Sequence, residues 1–445
     1  MESCFSKKEL ESIAKETGFL KRKSKIDPTK FFDLLMYDVS SGKSKSLSQM
    51  TIEAESAHGI IVSKQGLDKK FNDRTVAFLK RLIARQLSTE ISHQIDTEWF
   101  SKFKRVIIKD GTRFDLQDDY KDILPGSGGC ASKAGACIQF EFDLKKGSII
   151  QLDITPANRP DNKEASEVLD DVEEGDLVIR DLGYHLFDSF SNIIKRKAFF
   201  ISRLHPKIDV YILKNGCYNK VDFKDLYLKM TKCKKVWDCS EVFIGEDKIP
   251  VNLGIEIMPD DIWEKRVKNA EKNNKKKGRK TKDEYKFKIR FNLFITNIPN
   301  EELPTKILST LYRIRWQIEL IFKVWKSVFG INHKSLMKFE RWLSLLYVKL
   351  LIMLVYWNII MSSRNHKHEC NGKLLSLNKC FKTLFDNTYR LRKALKHGSG
   401  EIRRLLVWAG KTFNKNHWLE KKKKTKSLKE IIDLKICKSN NYAYI

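Results

Sequence analysis

Three carboxylates and a group of cations are the residues of this chain whose types and spacing could do chemistry. Glu319 lies in the run 305–329 with Tyr312, Arg315, Lys323 and Lys326 around it. At about 100° per residue on an ideal helix, those four fall within about 40° of Glu319. One narrow stripe therefore carries a carboxylate, a phenol and several cations. Ile314, Ile318, Ile321 and Trp325 occupy a neighbouring arc that can pack the helix on a sheet, which holds the stripe at the edge of a core. A carboxylate among cations can hold a divalent ion while an arginine fork receives phosphate. Taken alone, the same spacing fits an ordinary salt-bridge ladder equally well, because Arg315 and Lys323 each stand one helical turn from Glu319.

Two aspartates add to the glutamate. Asp110 follows the apolar run VIIK, and Asp181 follows LVIR and precedes Leu182-Gly183-Tyr184. An acid at the end of an apolar strand is costly unless it is solvated, paired or metal-bound. Two such aspartates and a helix glutamate could supply oxygen ligands for two Mg²⁺ ions about 4 Å apart. Asp115, Asp118 and Asp119 follow the first strand on a polar loop and are set aside. Lys133 and Arg203 stand where they could approach a phosphate. Gly126-Ser127-Gly128-Gly129 has no Gly-Lys-Ser or Gly-Lys-Thr after it and reads as a mobile loop. His366, His368 and Cys370 lack a convincing fourth ligand and read as a polar loop instead of a zinc site.

The elements that must position these residues follow from the pattern of apolar positions. Strands are expected at 106–108, 136–144, 148–155, 177–179 and 199–204, with helices at 163–169 and 187–197. That order gives an α/β unit with a mixed sheet, and it puts Asp110 and Asp181 at strand ends where side chains converge on one rim. The stretch 205–297 carries its own strand candidates at 208–213, 221–228, 236–244, 251–257 and 286–296, and reads as a β-rich insertion. Within it, 272–290 is strongly basic, with a mobile polar loop at its centre, and reads as an arm that touches DNA. Residues 1–100 read as helical, with a basic amphipathic helix at 72–85 that fits phosphate contact and plain solvation equally. A further helical region spans 374–408, followed by the lysine run 421–424 and a last amphipathic turn at 428–436.

Composition selects the partner. At 445 residues the chain exceeds one comfortable core. Its 85 Lys and Arg against 56 Asp and Glu leave a net charge of +29. Such an excess predicts a polyanion, most simply nucleic acid, although an anionic membrane surface satisfies the same sign. The nine cysteines show no paired short spacing and suit a reducing cytoplasm. Residues 1–10 carry charges and no apolar run, so no signal peptide is expected. The run 342–361 has the length of a membrane span, but Lys349 near its middle favours a buried core helix, and no membrane partner is expected.

The chain resembles the IS4 family of bacterial DDE transposases. The family's helix motif is Tyr, two residues, Arg, three residues, Glu, six residues, Lys, and YRIRWQIELIFKVWK places it on Tyr312, Arg315, Glu319 and Lys326. The family's first aspartate falls on Asp110 in VIIKDGT, and its second on Asp181 in VIRDLGY. The likeness runs from QGLDKKF at 65–71 through the apolar helix. It implies a ribonuclease H-like α/β catalytic core at 101–204 and 298–335, interrupted by the β-rich insertion 205–297. Helical regions flank that core at 1–100, for DNA binding, and at 336–445, for dimerisation and DNA contact. Also implied are catalytic metal ligands at Asp110, Asp181 and Glu319, two Mg²⁺ ions with Mn²⁺ as a substitute, and phosphate contacts from Tyr312, Arg315 and Lys326; Lys323, outside the motif but on the same stripe, is a further candidate phosphate contact. The expected substrates are duplex DNA with terminal inverted repeats and target DNA, handled by a homodimer on the bacterial chromosome, with the cut-and-paste chemistry that the resemblance implies. A non-transposing nuclease, or an inactive DNA-binding relic, would share much of this pattern.

Overall fold

A computed structural model describes residues 6–22, 24–40, 44–87, 101–128, 131–146, 148–159, 171–180, 187–235, 237–303, 305–371 and 375–418. The apolar N-terminal patterns form α1 (Lys7–Glu16), α2 (Pro28–Ser40), α3 (Leu47–His58), α4 (Lys64–Asp68) and α5 (Asp73–Leu87). Ser6, Ser46 and Ser63 cap three of them by accepting a backbone N–H of the first turn. Next come β1 (Val106–Asp115), β2 (Gly135–Asp143), β3 (Ser148–Pro156), β4 (Leu177–Arg180), α6 (Phe187–Lys195) and β5 (Phe199–Arg203). The expected helix at 163–169 lies outside the described residues.

The following stretch contains β6 (Val210–Lys214), β7 (Cys217–Lys220), α7 (Phe223–Lys232), β8 (Trp237–Ile244), β9 (Ile249–Ile257), α8 (Asp260–Lys276), α9 (Asp283–Lys288) and β10 (Phe291–Thr296). Two expectations fail here. Residues 221–228 were expected as a strand, yet Asp222 accepts the backbone N–H groups of Lys224 and Asp225 and starts α7 instead. The polar core 272–282 was expected as a mobile loop, but α8 runs through it to Lys276 and turns by hydrogen bonds to Asn274, and residues 286–288, expected as the start of a strand, belong to α9.

All ten strands form one mixed sheet in the order β3-β2-β1-β4-β5-β10-β9-β8-β6-β7. β1, β4 and β5 are mutually parallel in that order, and the other pairings are antiparallel. Strand alternation sorts the side chains onto two faces. Val106, Ile108, Leu177, Ile179, Ile201 and Phe294 belong to one core, while Val178, Phe200, Leu253, Leu293 and Ile295 belong to the other.

The first face receives α10 (Thr305–Ile314) and α11 (Trp316–Ser327). The central helix α12 (Phe339–Asn371) belongs to the same core and packs against α5 and α2. Its segment Phe339–Ser363 is long and apolar enough to cross a membrane, but 83% of its most apolar window is buried inside the protein. α13 (Leu377–Asp386), α14 (Thr388–His397) and α15 (Ser399–Asn416) complete the described chain. The backbone of α12 continues through His366, His368 and Cys370, so the loop expected there is helix. Gly126 donates its N–H to Lys133 O beside the isolated bridge between Pro125 and Ala134. The expected elements at 421–424 and 428–436 lie outside the described residues.

Candidate active site

Asp110 was expected at a strand end, but β1 runs on to Asp115 and places it mid-strand, two positions past Ile108, the last residue that pairs β1 with β4. Strand alternation puts it on the face of Val106 and Ile108, toward the helices. Its Oδ1 accepts the N–H of Gly111 at 2.8 Å, and its Oδ2 accepts Nη1 of Arg315 at 2.7 Å. The other terminal nitrogen of that guanidinium, Nη2, reaches Glu319 Oε1 at 3.4 Å. One planar fork thus links the strand carboxylate to the helix carboxylate. Arg315 is 5% exposed, and the side chains of Asp110 and Glu319 are 17% and 36% exposed. The cation is deep and the acids open toward solvent.

The helix that carries this group is not continuous. α10 ends at Ile314 and α11 starts at Trp316, with hydrogen bonds from Arg315 N–H to Tyr312 O and from Ile318 N–H to Arg315 O. These three-residue closures tighten the helix at Arg315. The uniform stripe expected for 305–329 is therefore divided. Tyr312 is buried, with its ring 5.6 Å from that of Phe294, and the Arg315 guanidinium lies 5.7 Å from the Tyr312 ring centroid. Lys323 is exposed. Lys326 is half-buried and donates Nζ to Arg113 O on β1 at 2.9 Å. Burial pulls its ammonium below the usual lysine range, with a weaker opposing effect from Cys137.

The remaining expected residues have different surroundings. Asp181 follows β4 in sequence and lies outside the described residues. Arg203 ends β5, two places from β1 in the sheet, and its Nη2 approaches Asn292 Oδ1 at 3.5 Å. Lys133 is exposed, and its backbone N–H donates to Asp118 Oδ1 at 3.1 Å. Among the described residues, no group of three or more His, Cys, Asp or Glu side chains could hold a metal.

A buried polar layer behind β1 was missed in the sequence. Lys109 and Glu141 are cross-strand partners, fully buried, and Arg180 is 5% exposed. Burial raises the Glu141 carboxyl, while Lys109 and Arg180 act to lower it. The available signal was the cation directly before each aspartate, in Lys109-Asp110 and Arg180-Asp181. Alternation turns Lys109 to the face of β1 opposite that of Asp110.

A family of proteins described as the transposase DDE domain matches residues 101–355. The chain is 31% identical to the transposase for insertion sequence element IS231E of Bacillus thuringiensis subsp. finitimus, covering 93% of this chain and 90% of that one. It is 30% identical to the IS231F transposase of Bacillus thuringiensis subsp. israelensis, covering 89% and 86%. Similarity to the IS1151 transposase of Clostridium perfringens is 29% identity over 97% and 94% of the two chains. With the matched family spanning over half the chain and the relatives nearly all of it, this protein belongs to the IS4 family of DDE transposases.

Proposed function

We propose that this transposase cuts DNA at transposon ends and joins them to target DNA through a metal-dependent site built from Asp110, Asp181 and Glu319. The observation that carries the proposal is the single Arg315 guanidinium shared by Asp110 and Glu319. Carboxylates from a strand and a helix are held together by a cation, at a group still open to solvent. Hard oxygen donors so arranged fit Mg²⁺, with Mn²⁺ as a substitute. Two ions are expected, and Asp181, directly after β4, would complete their ligands. When bound, the metal would supply Lewis-acid stabilisation of charge at the phosphodiester.

The protein's own groups have separable tasks. Gly111 N–H and Arg315 orient Asp110. Arg315 holds Glu319 near it and keeps a fork suited to phosphate oxygens. Lys326 adds positive charge beside β1, and Tyr312 fixes the helix through its ring. Lys323, Lys133 and Arg203 are proposed as outlying phosphate contacts. The mixed sheet with helices on it is proposed to be ribonuclease H-like, with 101–204 and 298–335 as its core and 205–297 inserted. Residues 1–100 would take part in end recognition, and 336–445 in pairing two copies across two terminal inverted repeats. Cut-and-paste movement on the bacterial chromosome, in the cytoplasm, follows as the expected biological setting.

Glu319→Gln tests the site because it keeps side-chain shape and removes the charge. With labelled terminal repeats and Mg²⁺, the variant should bind ends as the parent does and lose cleavage. Parental cleavage by the variant would overturn the assignment. Cleavage by the parent without joining to supercoiled target DNA would identify a nuclease instead.

A further inference from the structure

α8 is a helix without a buried residue, and from Lys268 to Lys276 it is polar but for Ala270, so its outer half needs a reason to be kept. Its first turns are pinned. Trp263 Nε1 donates to Lys286 O at 2.9 Å, and Arg266 donates Nη1 to the carbonyls of Ile289 and Phe291 and Nη2 to Asn292 Oδ1 at 2.8 Å. Arg290 adds to the base, its guanidinium 4.4 Å from the Trp263 ring centroid and 4.3 Å from that of Tyr227. The far end is closed by a structured turn. Gly278 has φ +65°, Arg279 N–H donates to Asn274 O, and Asn274 Nδ2 donates to Thr281 Oγ1 at 2.9 Å.

On this hydrogen-bonded projection every Lys and Arg from Lys268 to Lys282 is exposed and makes no ion pair among the described residues. The one acid among them, Glu271, is paired with Lys286 at 3.0 Å. Eight like charges are thus gathered on one projection, counting Lys268, Lys272, Lys275, Lys276, Lys277, Arg279, Lys280 and Lys282 in the sequence. Their mutual repulsion is relieved by a polyanion and by nothing described within the chain.

The place of the hairpin in the sheet names its partner. β5 runs parallel to β1 through β4, and β10 and β9 return antiparallel to β5. The rim where β9 ends and β10 begins is therefore the rim toward which β1 carries Asp110. β10 stands three strand spacings from β1, about 14 Å, and α8 extends about 25 Å from its base. We propose that the hairpin of α8 and its turn docks on the phosphate backbone of duplex DNA beside the phosphate taken by Asp110 and Glu319, without reading sequence. This rests on the proposed function, since the rim matters only if the site takes DNA. At about 3.4 Å per base pair, the contact lies on the order of half a helical turn from the scissile position.

The test is the salt dependence of binding by the full-length chain without divalent metal. Lys272, Lys275, Lys276 and Lys280 are changed together to Gln, and fluorescence anisotropy is measured on duplexes of about 40 base pairs in roughly 50–200 mM KCl. No buried residue is touched, so the core is left intact. Each phosphate contact contributes about 0.9 to the slope of log K against log salt, so the variant's slope should be shallower by about two to four. The loss should be equal on terminal-repeat and unrelated duplexes. An unchanged slope, or a loss confined to one sequence, overturns the docking proposal. Because no cleavage is measured, that failure is separate from parental cleavage by Glu319→Gln, which overturns the site.

Discussion

Arg315 Nη1 lies 2.7 Å from Asp110 Oδ2, across 205 positions of sequence, and the Arg315 side chain is 6% exposed. A buried cation is tolerable only with its partners in place, and here the partners are the two proposed metal ligands. Arg315→Met removes the fork and leaves Asp110 facing Glu319. We expect unfolding free energy to fall by about 3 kcal/mol in urea melts. Millimolar Mg²⁺ should restore more stability to the variant than to the parent, because a divalent ion can replace the lost charge between the acids. Parental melting, with or without Mg²⁺, would show that the bridge does not organise the site.

The helix end of that bridge depends on a glycine in the next part of the sheet. A Cβ on Gly254 would stand 2.8 Å from Leu308 Cδ2 and 3.1 Å from Thr305 Cγ2. α10 therefore packs directly on the β9 backbone, which sets the height of Tyr312 and Arg315 above the sheet. Gly254→Val should cost about 2 kcal/mol through overpacking. It should also slow cleavage more than it weakens DNA binding, since binding surfaces lie elsewhere. Equal losses in both assays would mean that α10 does not position the reactive group.

The spacing of Tyr312, Arg315, Glu319 and Lys326 was legible because a motif of four polar residues survives beside a clear apolar arc. The tightening at Arg315 was not legible. It follows helix turns packed on Gly254 and Phe294, contacts that no local period records. The strands bearing Val106 and Leu177 stood out as compact apolar runs, and the structure has both. α7 was misread because Val221, Phe223 and the following alternation imitate a strand, while the capping role of Asp222 was overlooked. The outer half of α8 left no periodic trace because, beyond Ala270, it carries no apolar residue. Lys109 and Arg180 were passed over as ordinary charges, although their burial makes them part of the support behind β1.

Arg392 links helices from opposite ends of the chain. Its Nε and Nη2 donate to the two oxygens of Asp33 at 2.9 and 2.8 Å, and Nη2 also reaches Glu53 Oε1 at 2.8 Å. His58 Nε2 lies 3.0 Å from Asp33 on the other side, and these interactions hold the Asp33 carboxyl below its usual range against the effect of burial. Arg392→Ala should destabilise by about 3 kcal/mol, since it strands two acids that are largely covered. Limited proteolysis should then release α14 and α15 earlier than in the parent. Unchanged cleavage by protease would place the attachment of these helices in their apolar contacts alone.

Lys349, the charge in the middle of α12, gives the stability a pH dependence with a definite sign. Its Nζ donates to Gly330 O at 3.1 Å, and burial pushes its ammonium down to about 8, partly opposed by Asp38. Between pH 8 and the ordinary value near 10.5, the unfolded chain holds a proton that the folded chain has released. Stability from this group therefore rises with pH across that window, by about 1.4 kcal/mol per pH unit at most. Asp38 acts in the acid range. Burial raises it to about 6, against Arg341, Lys349 and Lys45, so its contribution falls as pH rises from 3.8 to 6. Lys288 is also lowered to about 8 and gives the parent a rise of the same sign. The difference between parent and Lys349→Met isolates Lys349. Urea midpoints at pH 7, 8, 9 and 10 should show the variant more stable than the parent at pH 7, with the gap closing toward pH 10. A gap that stays constant over those values would mean that Lys349 remains charged in the folded protein.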